Sequence, residues 1–167
     1  MLLDKNYYNT FIKSLPFELT KEQKEIQKEI IKDLLREERM NRLIHGDVGT
    51  GKTILALISA FYVIKSKYQV AILVPTELLA TQHYELSLKI FSSFNISCAL
   101  LVSSSKHKDK LINKIALGQI DLIIGTHSLI QHKVNFFNLS LVIIDEQHRF
   151  GVEQRLKIRE KGSNVDM

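Results

Sequence analysis

The residues with the clearest chemical potential are the eight at positions 46–53. They read Gly46-Asp47-Val48-Gly49-Thr50-Gly51-Lys52-Thr53, the G-x-x-x-x-G-K-T pattern of a phosphate-binding loop. Glycines at this spacing let successive backbone N–H groups turn toward phosphate oxygens, and the N-terminus of a following helix favours the same anion. In this pattern Lys52 can add a positive charge at the β- and γ-phosphates, and the Thr53 hydroxyl can ligate Mg2+. We therefore predict that all eight residues bind a nucleotide.

Two carboxylates, Asp145 and Glu146, follow the apolar run 141–144. A carboxylate at the end of a strand can hold Mg2+ directly or through water, and its neighbour can orient or deprotonate an attacking water. The alternative is a pair of solvated acids, which is common after strands. Because a phosphate loop lies upstream, we favour catalytic roles for Lys52, Asp145 and Glu146, with Thr53 and Asp145 holding the metal.

Short apolar runs alternate with helical stretches and would position these residues. The runs are 43–44, 70–74, 99–102, 122–124 and 141–144. The predicted helices run from an N-cap at Thr20 to about residue 38, then 52–66, 77–92, 105–117 and part of 149–161. Continuous apolar runs indicate strands covered on both faces, so we predict an α/β fold of three layers with a mainly parallel sheet. Ligands bind such sheets at the carboxyl ends of the strands.

Composition adds few constraints. The 167 residues suit a single domain, and the net charge of +5 permits an anionic partner without establishing one. Cys98 is the only cysteine, which excludes an internal disulfide. No run reaches the ~18 apolar residues of a membrane span, and no signal peptide pattern is present. These features predict a cytoplasmic protein.

Several motifs in order resemble one helicase family. Asp145-Glu146-Gln147-His148 has the D-E-x-H form of superfamily 2 helicases, and the Arg-Phe-Gly-Val-Glu-Gln-Arg run at 149–155 is similar to the RecG family of bacterial branched-DNA helicases. Residues 15–23, the phosphate loop, 74–83 and 125–131 resemble its entry segment, phosphate loop, motif Ia and motif Ib. The resemblance covers about residues 15–162. It departs at 102–105, where Val-Ser-Ser-Ser replaces a Thr-Gly-Ser turn, so no DNA contact is carried over there.

The resemblance implies a RecA-like P-loop NTPase domain that uses ATP and Mg2+. Gln23 would contact the adenine, although it also suits a helix cap, and both roles are compatible. Five further positions would contact DNA or couple it to the nucleotide site: Thr76, Thr126, His127, Gln147 and His148. Ordinary N-capping is the alternative for the threonines, and a polar surface loop is the alternative for His148. His83 falls on an apolar helix stripe, where we expect a half-buried, hydrogen-bonded structural residue.

The resemblance also predicts what lies outside the chain. Residues 1–14 would be a tail or a remnant of an upstream region, and 15–167 the first motor domain, truncated before motif III and lacking its final strand. The family's second RecA-like domain, with its arginine fingers, and its wedge domain would be missing from these 167 residues. We expect a monomer whose parent hydrolyses ATP to remodel branched DNA in recombination and repair. Two alternatives stay open, a nucleotide-binding fragment with negligible turnover and a duplex-DNA translocase of the transcription-repair coupling type, which more often has D-E-E-H.

Overall fold

The computed structural model describes residues 5–46, 49 and 51–167. The helices are α1 (Lys5–Ser14), α2 (Lys21–Leu34), α3 (Lys52–Lys65), α4 (Glu77–Phe91), α5 (Lys108–Ala116) and α6 (Val152–Arg159). The strands are β1 (Gln69–Leu73), β2 (Cys98–Leu101), β3 (Leu122–Gly125) and β4 (Leu139–Ile144). Short 3-10 helices follow β3 at His127–Ile130 and β4 at Gln147–Arg149. In this part of the chain, none of the helices has the length and apolarity that crossing a bilayer requires.

The four strands form one parallel sheet in the order β2-β3-β1-β4. Successive side chains of β1 point to opposite faces, so Ile72 joins the core beneath α1 to α4, whereas Leu73 joins the core beneath α5 and α6. Helices on both faces explain why the strand runs are apolar throughout. The predicted three-layer α/β fold with a parallel sheet is confirmed.

A further segment lies beyond β4. Asp166 pairs with Leu141 in a parallel bridge, and the Arg42 N–H donates to the Met167 carbonyl at 2.9 Å. The Met167 N–H in turn donates to the Met40 carbonyl at 3.0 Å. The segment that leads into the phosphate loop is therefore attached to the sheet through residues 166 and 167.

The strand predicted at 43–44 is not formed. Leu43 is 58% exposed, and neither Leu43 nor Ile44 makes a backbone hydrogen bond to a strand within the described ranges. A strand requires a neighbour for its ladder, and the pairing of this segment reaches only Arg42. Apolar composition alone could not supply that neighbour.

Two helix boundaries differ from the predictions, whereas α3 and α4 lie where they were expected. Helix α2 ends at Leu34 rather than near 38, because the N–H groups of Leu35 and Arg36 bond back to Ile31 and Asp33 and close the last turn. Helix α5 starts three residues late. His107 before it is left-handed (φ 54°), and the Ser105 hydroxyl instead bonds the Val102 N–H and the Leu100 carbonyl.

Helix α1 lies in a segment without clear sequence periodicity and was not predicted as a helix. Its Phe11 is fully buried and stacks on Phe61, with ring centroids 3.9 Å apart and an interplanar angle of 7°. Phe94 meets the Phe11 ring edge-on at 5.2 Å. The helix is thus joined to the core on the α3 side of the sheet through an aromatic cluster.

Replacing Phe11 tests this packing. We expect Phe11→Ala to lower the free energy of unfolding by about 3–5 kcal/mol, because it leaves a cavity between two aromatic rings. Urea denaturation followed by circular dichroism measures the loss. Phe17→Ala is the matched control, since Phe17 is 46% exposed and its removal should cost within about 0.5 kcal/mol. Equal effects of the two changes would contradict the docking of α1.

Candidate nucleotide site

The phosphate loop meets the N-terminus of α3. Gly49 (φ 85°) and Gly51 (φ 83°) adopt left-handed backbone conformations that residues with a Cβ rarely tolerate. Gly51 is the N-cap, so Lys52 and Thr53 occupy the first turn, at the positive end of the helix dipole. The Lys52 ammonium donates to the Gly46 carbonyl, which folds its side chain back over the loop. The three other predicted loop residues, Asp47, Val48 and Thr50, lie outside the described residues.

Gln23 lies against this loop. Its Oε1 accepts the Thr20 N–H at 2.9 Å, and its own N–H donates to the Thr20 hydroxyl at 3.2 Å, which completes a capping box for α2. The Gln23 Nε2 is so near Gly51 that a Cβ there would collide with it. The cap role is observed, and the amide is also placed beside the loop. Its adenine contact stays a prediction.

Asp145 stands at the carboxyl end of β4. Its N–H donates to the Leu73 carbonyl at 3.0 Å, which extends the pairing of β4 with β1 by one residue. Its Oδ1 accepts the Glu146 N–H at 3.0 Å, and its Oδ2 lies 3.0 Å from His83 Nε2. The His83 hydrogen bond is the largest cause that holds the pKa of the Asp145 carboxyl below its ordinary value. Partial burial opposes this shift, while the Glu146 N–H and the charge of Lys52 add to it, so the carboxyl is ionised near neutral pH.

Glu146 takes a left-handed backbone conformation (φ 53°, ψ 51°), which is uncommon for a residue other than glycine. The chain therefore turns sharply at the end of β4 and enters a 3-10 helix. The Glu146 side chain is 51% exposed, and its Oε2 lies 3.4 Å from Nε2 of the exposed His148. The carboxylate is accessible to a water molecule, as a general base must be.

Several of these groups, although not Gln23, Gly49 or Gly51, line one cavity of about 710 Å³, a volume typical of small-molecule sites. Its lining includes residues from the loop, from α4 and from the end of β4: Gly46, Lys52, Thr53, His83, Asp145, Glu146, Gln147 and His148. The structure thus brings residues of the predicted phosphate loop together with the two predicted carboxylates. Thr76, Thr126 and His127 do not line it.

The residues present fit a magnesium ion. Each Asp145 oxygen accepts one hydrogen bond, so about half of the acceptor capacity of the carboxylate is left for a metal or its waters. Thr53 supplies a hydroxyl in the same cavity. No cluster of three or more His, Cys, Asp or Glu side chains with metal-binding geometry occurs among residues 5–46, 49 and 51–167. One carboxylate and one hydroxyl suit Mg2+, which keeps most of its waters and binds phosphates.

The residues predicted to face DNA follow β1 and β3 at the same end of the sheet. Thr76 is exposed, and its hydroxyl caps α4 by accepting the Leu79 N–H at 3.3 Å. Thr126 is buried, and the exposed His127 has its ring centroid 5.3 Å from that of Phe150. The N-capping alternative is therefore observed for Thr76, while the DNA contacts of all three stay predictions.

The turn at 102–105, where the sequence departs from the family resemblance, is hydrogen-bonded to α4. The Ser104 hydroxyl donates to the Glu77 carboxylate at 2.6 Å, and the Ser104 N–H donates to it at 3.2 Å. These two bonds hold the turn against Glu77, the first residue of α4, although the turn lacks the expected glycine.

His83 is the site residue that sequence reasoning missed. It is hydrogen-bonded, as expected, but it is buried rather than half-buried and its partner is Asp145. A position on an apolar stripe predicts a core residue, and no local pattern points to Asp145, which lies 62 residues further on.

Comparison with known proteins gives a consistent relationship. The profile of the DEAD/DEAH box helicase family matches residues 24–166. The ATP-dependent DNA helicase RecG of Bacillus subtilis (strain 168) is 52% identical over 159 residues, which cover 94% of this chain and 23% of that protein. The RecG of Thermotoga maritima is 51% identical over 158 residues, covering 93% of this chain and 20% of the relative. The chain thus spans about a quarter or less of the curated relatives it matches.

A solved structure supports the same family relationship. The structure of RecG bound to a three-way DNA junction superimposes with a TM-score of 0.87 and 46% identity, over 99% of this chain and 22% of that one. The predicted resemblance to RecG, with a RecA-like helicase fold, is confirmed.

Proposed function

Because this chain belongs to the DEAD/DEAH box helicase family, we propose that it is a motor domain that binds ATP with Mg2+ and serves a DNA helicase of the RecG type. In the longer protein, ATP hydrolysis would drive translocation on branched DNA during recombination and repair. The chain by itself would bind ATP with little turnover.

One observation carries the proposal: Lys52 at the start of α3 and the Asp145-Glu146 pair at the end of β4 face the same cavity. A cation at a helix N-terminus meets the β- and γ-phosphates, and two carboxylates opposite it suit a metal and a water. Phosphoryl transfer depends on this positioning of charge more than on covalent chemistry.

We assign each residue a separate role in binding or catalysis. The loop N–H groups and Lys52 hold the phosphates, and Gln23 holds the base beside Gly51. Thr53 and Asp145 would hold Mg2+, which when bound neutralises charge on the phosphate oxygens. Glu146 would accept the proton of the attacking water, and the exposure of its carboxylate supports this role.

DNA is proposed as the partner because RecG relatives match the chain and one was solved on a three-way junction. Thr76, Thr126 and His127, at the carboxyl end of the sheet, would contact DNA phosphates. Gln147 and His148 directly follow the carboxylates and would transmit DNA binding to the nucleotide site. The net charge of +5 is compatible with this partner. We further propose a cytoplasmic monomer.

Low turnover follows from the catalytic groups that such motors take from a second domain. In the resembling family the arginine fingers come from that domain, and fingers of this kind contribute about 10³–10⁵ in rate. Binding needs only the groups around the described cavity. The proposal thus separates nucleotide affinity, which the chain should have, from hydrolysis, which should be slow.

The proposal is tested by titrating the chain into a fluorescent ATP analogue with Mg2+ and by following phosphate release with and without three-way junction DNA. We expect saturable binding and a turnover about 10³-fold or more below that of a finger-containing motor. Absence of saturable binding would overturn the nucleotide site. Fast, DNA-stimulated turnover would contradict the need for a second domain.

A further inference from the structure

His83 is a buried histidine that the roles above leave unused. It is 8% exposed, and its Nε2 lies 3.0 Å from Asp145 Oδ2. Because an ionised carboxylate only accepts hydrogen bonds, Nε2 carries the hydrogen. The other ring nitrogen, Nδ1, is buried and has no hydrogen-bond partner among the described residues. Within the described ranges the ring thus has one polar contact, and that contact is to the proposed metal ligand.

The contact removes the rotational freedom of the Asp145 carboxylate. The terminal torsion of an aspartate is broad and is poorly fixed by the side chain itself. Here the Glu146 N–H holds Oδ1 and His83 holds Oδ2, so both oxygens are oriented. The lone pairs that stay free must then point in a defined direction, which a metal site requires of its ligands.

The ring is itself held by a rigid element. Helix α4 packs against the sheet through buried residues on the same side as His83, namely Ala80, Ser87 and Phe91. The Ser87 hydroxyl donates to the His83 carbonyl at 2.7 Å. The location of Nε2 is therefore set by the packing of α4 and not by a mobile loop.

We propose that His83 is a positioning residue for magnesium binding: it fixes the Asp145 carboxylate to helix α4 in the orientation that receives the metal. This inference rests on the proposed nucleotide function. It also gives α4, which begins beside Thr76 at the predicted DNA side, a direct link to the metal ligand. A shift of α4 would rotate the carboxylate.

Two substitutions of His83 by amide side chains, glutamine and asparagine, distinguish a positioning role from simple packing. The Nε2 of glutamine occupies about the place of the histidine Nε2, whereas the shorter asparagine reaches only the place of Nδ1. His83→Gln should therefore keep the hydrogen bond to Asp145, and His83→Asn and His83→Leu should lose it. Glu85→Ala, on the exposed side of α4, is the control.

The measurement is the Mg2+ concentration that half-saturates binding of a fluorescent ATP analogue to the 167-residue chain, with thermal unfolding recorded in parallel. We expect His83→Asn and His83→Leu to raise this concentration about tenfold or more, as loss of an orienting partner does in other metal sites. His83→Gln and Glu85→Ala should stay within about threefold. Affinity for the analogue without Mg2+ should be unchanged in every variant.

Two results would overturn the inference. One is an unchanged Mg2+ requirement in folded His83→Asn. The other is an equal loss in His83→Gln and His83→Asn, which would mean a packing role. If His83→Leu fails to fold, the comparison of His83→Gln with His83→Asn still distinguishes positioning from packing. Failure of the unaltered chain to bind the analogue at all would refute the proposed function, and this inference with it.

Discussion

Lys52→Ala is expected to weaken binding of Mg·ATP by about 100-fold. Lys52 lies in the first turn of α3, and its ammonium donates to the carbonyl of Gly46, the first residue of the proposed phosphate loop. A hydrogen bond between charged groups contributes up to about 3 kcal/mol, which corresponds to about 100-fold in Kd. Titration of a fluorescent ATP analogue in Mg2+ measures the change.

The control for this variant must remove the same charge elsewhere. Lys28→Ala does so, since Lys28 is exposed on α2, and it should leave the affinity within about twofold. Thermal unfolding of both variants verifies that the fold is intact. An affinity that survives in folded Lys52→Ala would refute the assignment of residues 46–53 as the phosphate loop.

Glu146→Gln is expected to slow ATP hydrolysis by about 100-fold or more while affinity stays within about threefold. Loss of a general base typically costs 10²–10⁴ in rate, and an amide cannot accept the proton of the attacking water. Glutamine has the same shape and adopts the left-handed backbone at 146 at a similar cost, so folding should be unaffected. Single-turnover hydrolysis of labelled ATP, with the chain in excess, measures the rate.

Glu153→Gln supplies the comparison for this second variant. Glu153 is an exposed acid on α6 that pairs with Lys157 at 2.7 Å, and surface pairs of this kind contribute little. Its hydrolysis rate should match that of the unaltered chain. Equal rates for Glu146→Gln and the unaltered chain would show that water is activated by another group.

The sequence predicted those parts of the fold that are encoded by local pattern. The continuous apolar runs at β1, β3 and β4 predicted a sheet covered on both faces. The residue types at 46–53 and 145–146 pointed to groups of which Gly46, Lys52, Thr53, Asp145 and Glu146 line one cavity. Both signals are contiguous in the chain. The bounds of α3 and α4 could be predicted for the same reason.

The features that were missed depend on partners distant in sequence. Helix α1 is held by the stacking of Phe11 on Phe61, which no periodicity within 1–14 reveals. His83 contacts Asp145, 62 residues further on. The segment at 43–44 is not a strand because a ladder depends on a neighbour, and the backbone pairing with Met167 reaches only as far as Arg42. A single sequence carries no record of such pairings.

The attachment of the loop's leading segment to residues 166 and 167 also bears on the order of assembly during synthesis. The bond from the Met40 N–H to the Asp166 carboxylate joins groups 126 residues apart, and it cannot exist until the ribosome has added both. The helices and strands between them have nearer partners and can pair earlier. The loop is therefore synthesised before its anchor. Until residue 166 has been added, ATP would have no finished site whose occupation could stabilise the growing chain.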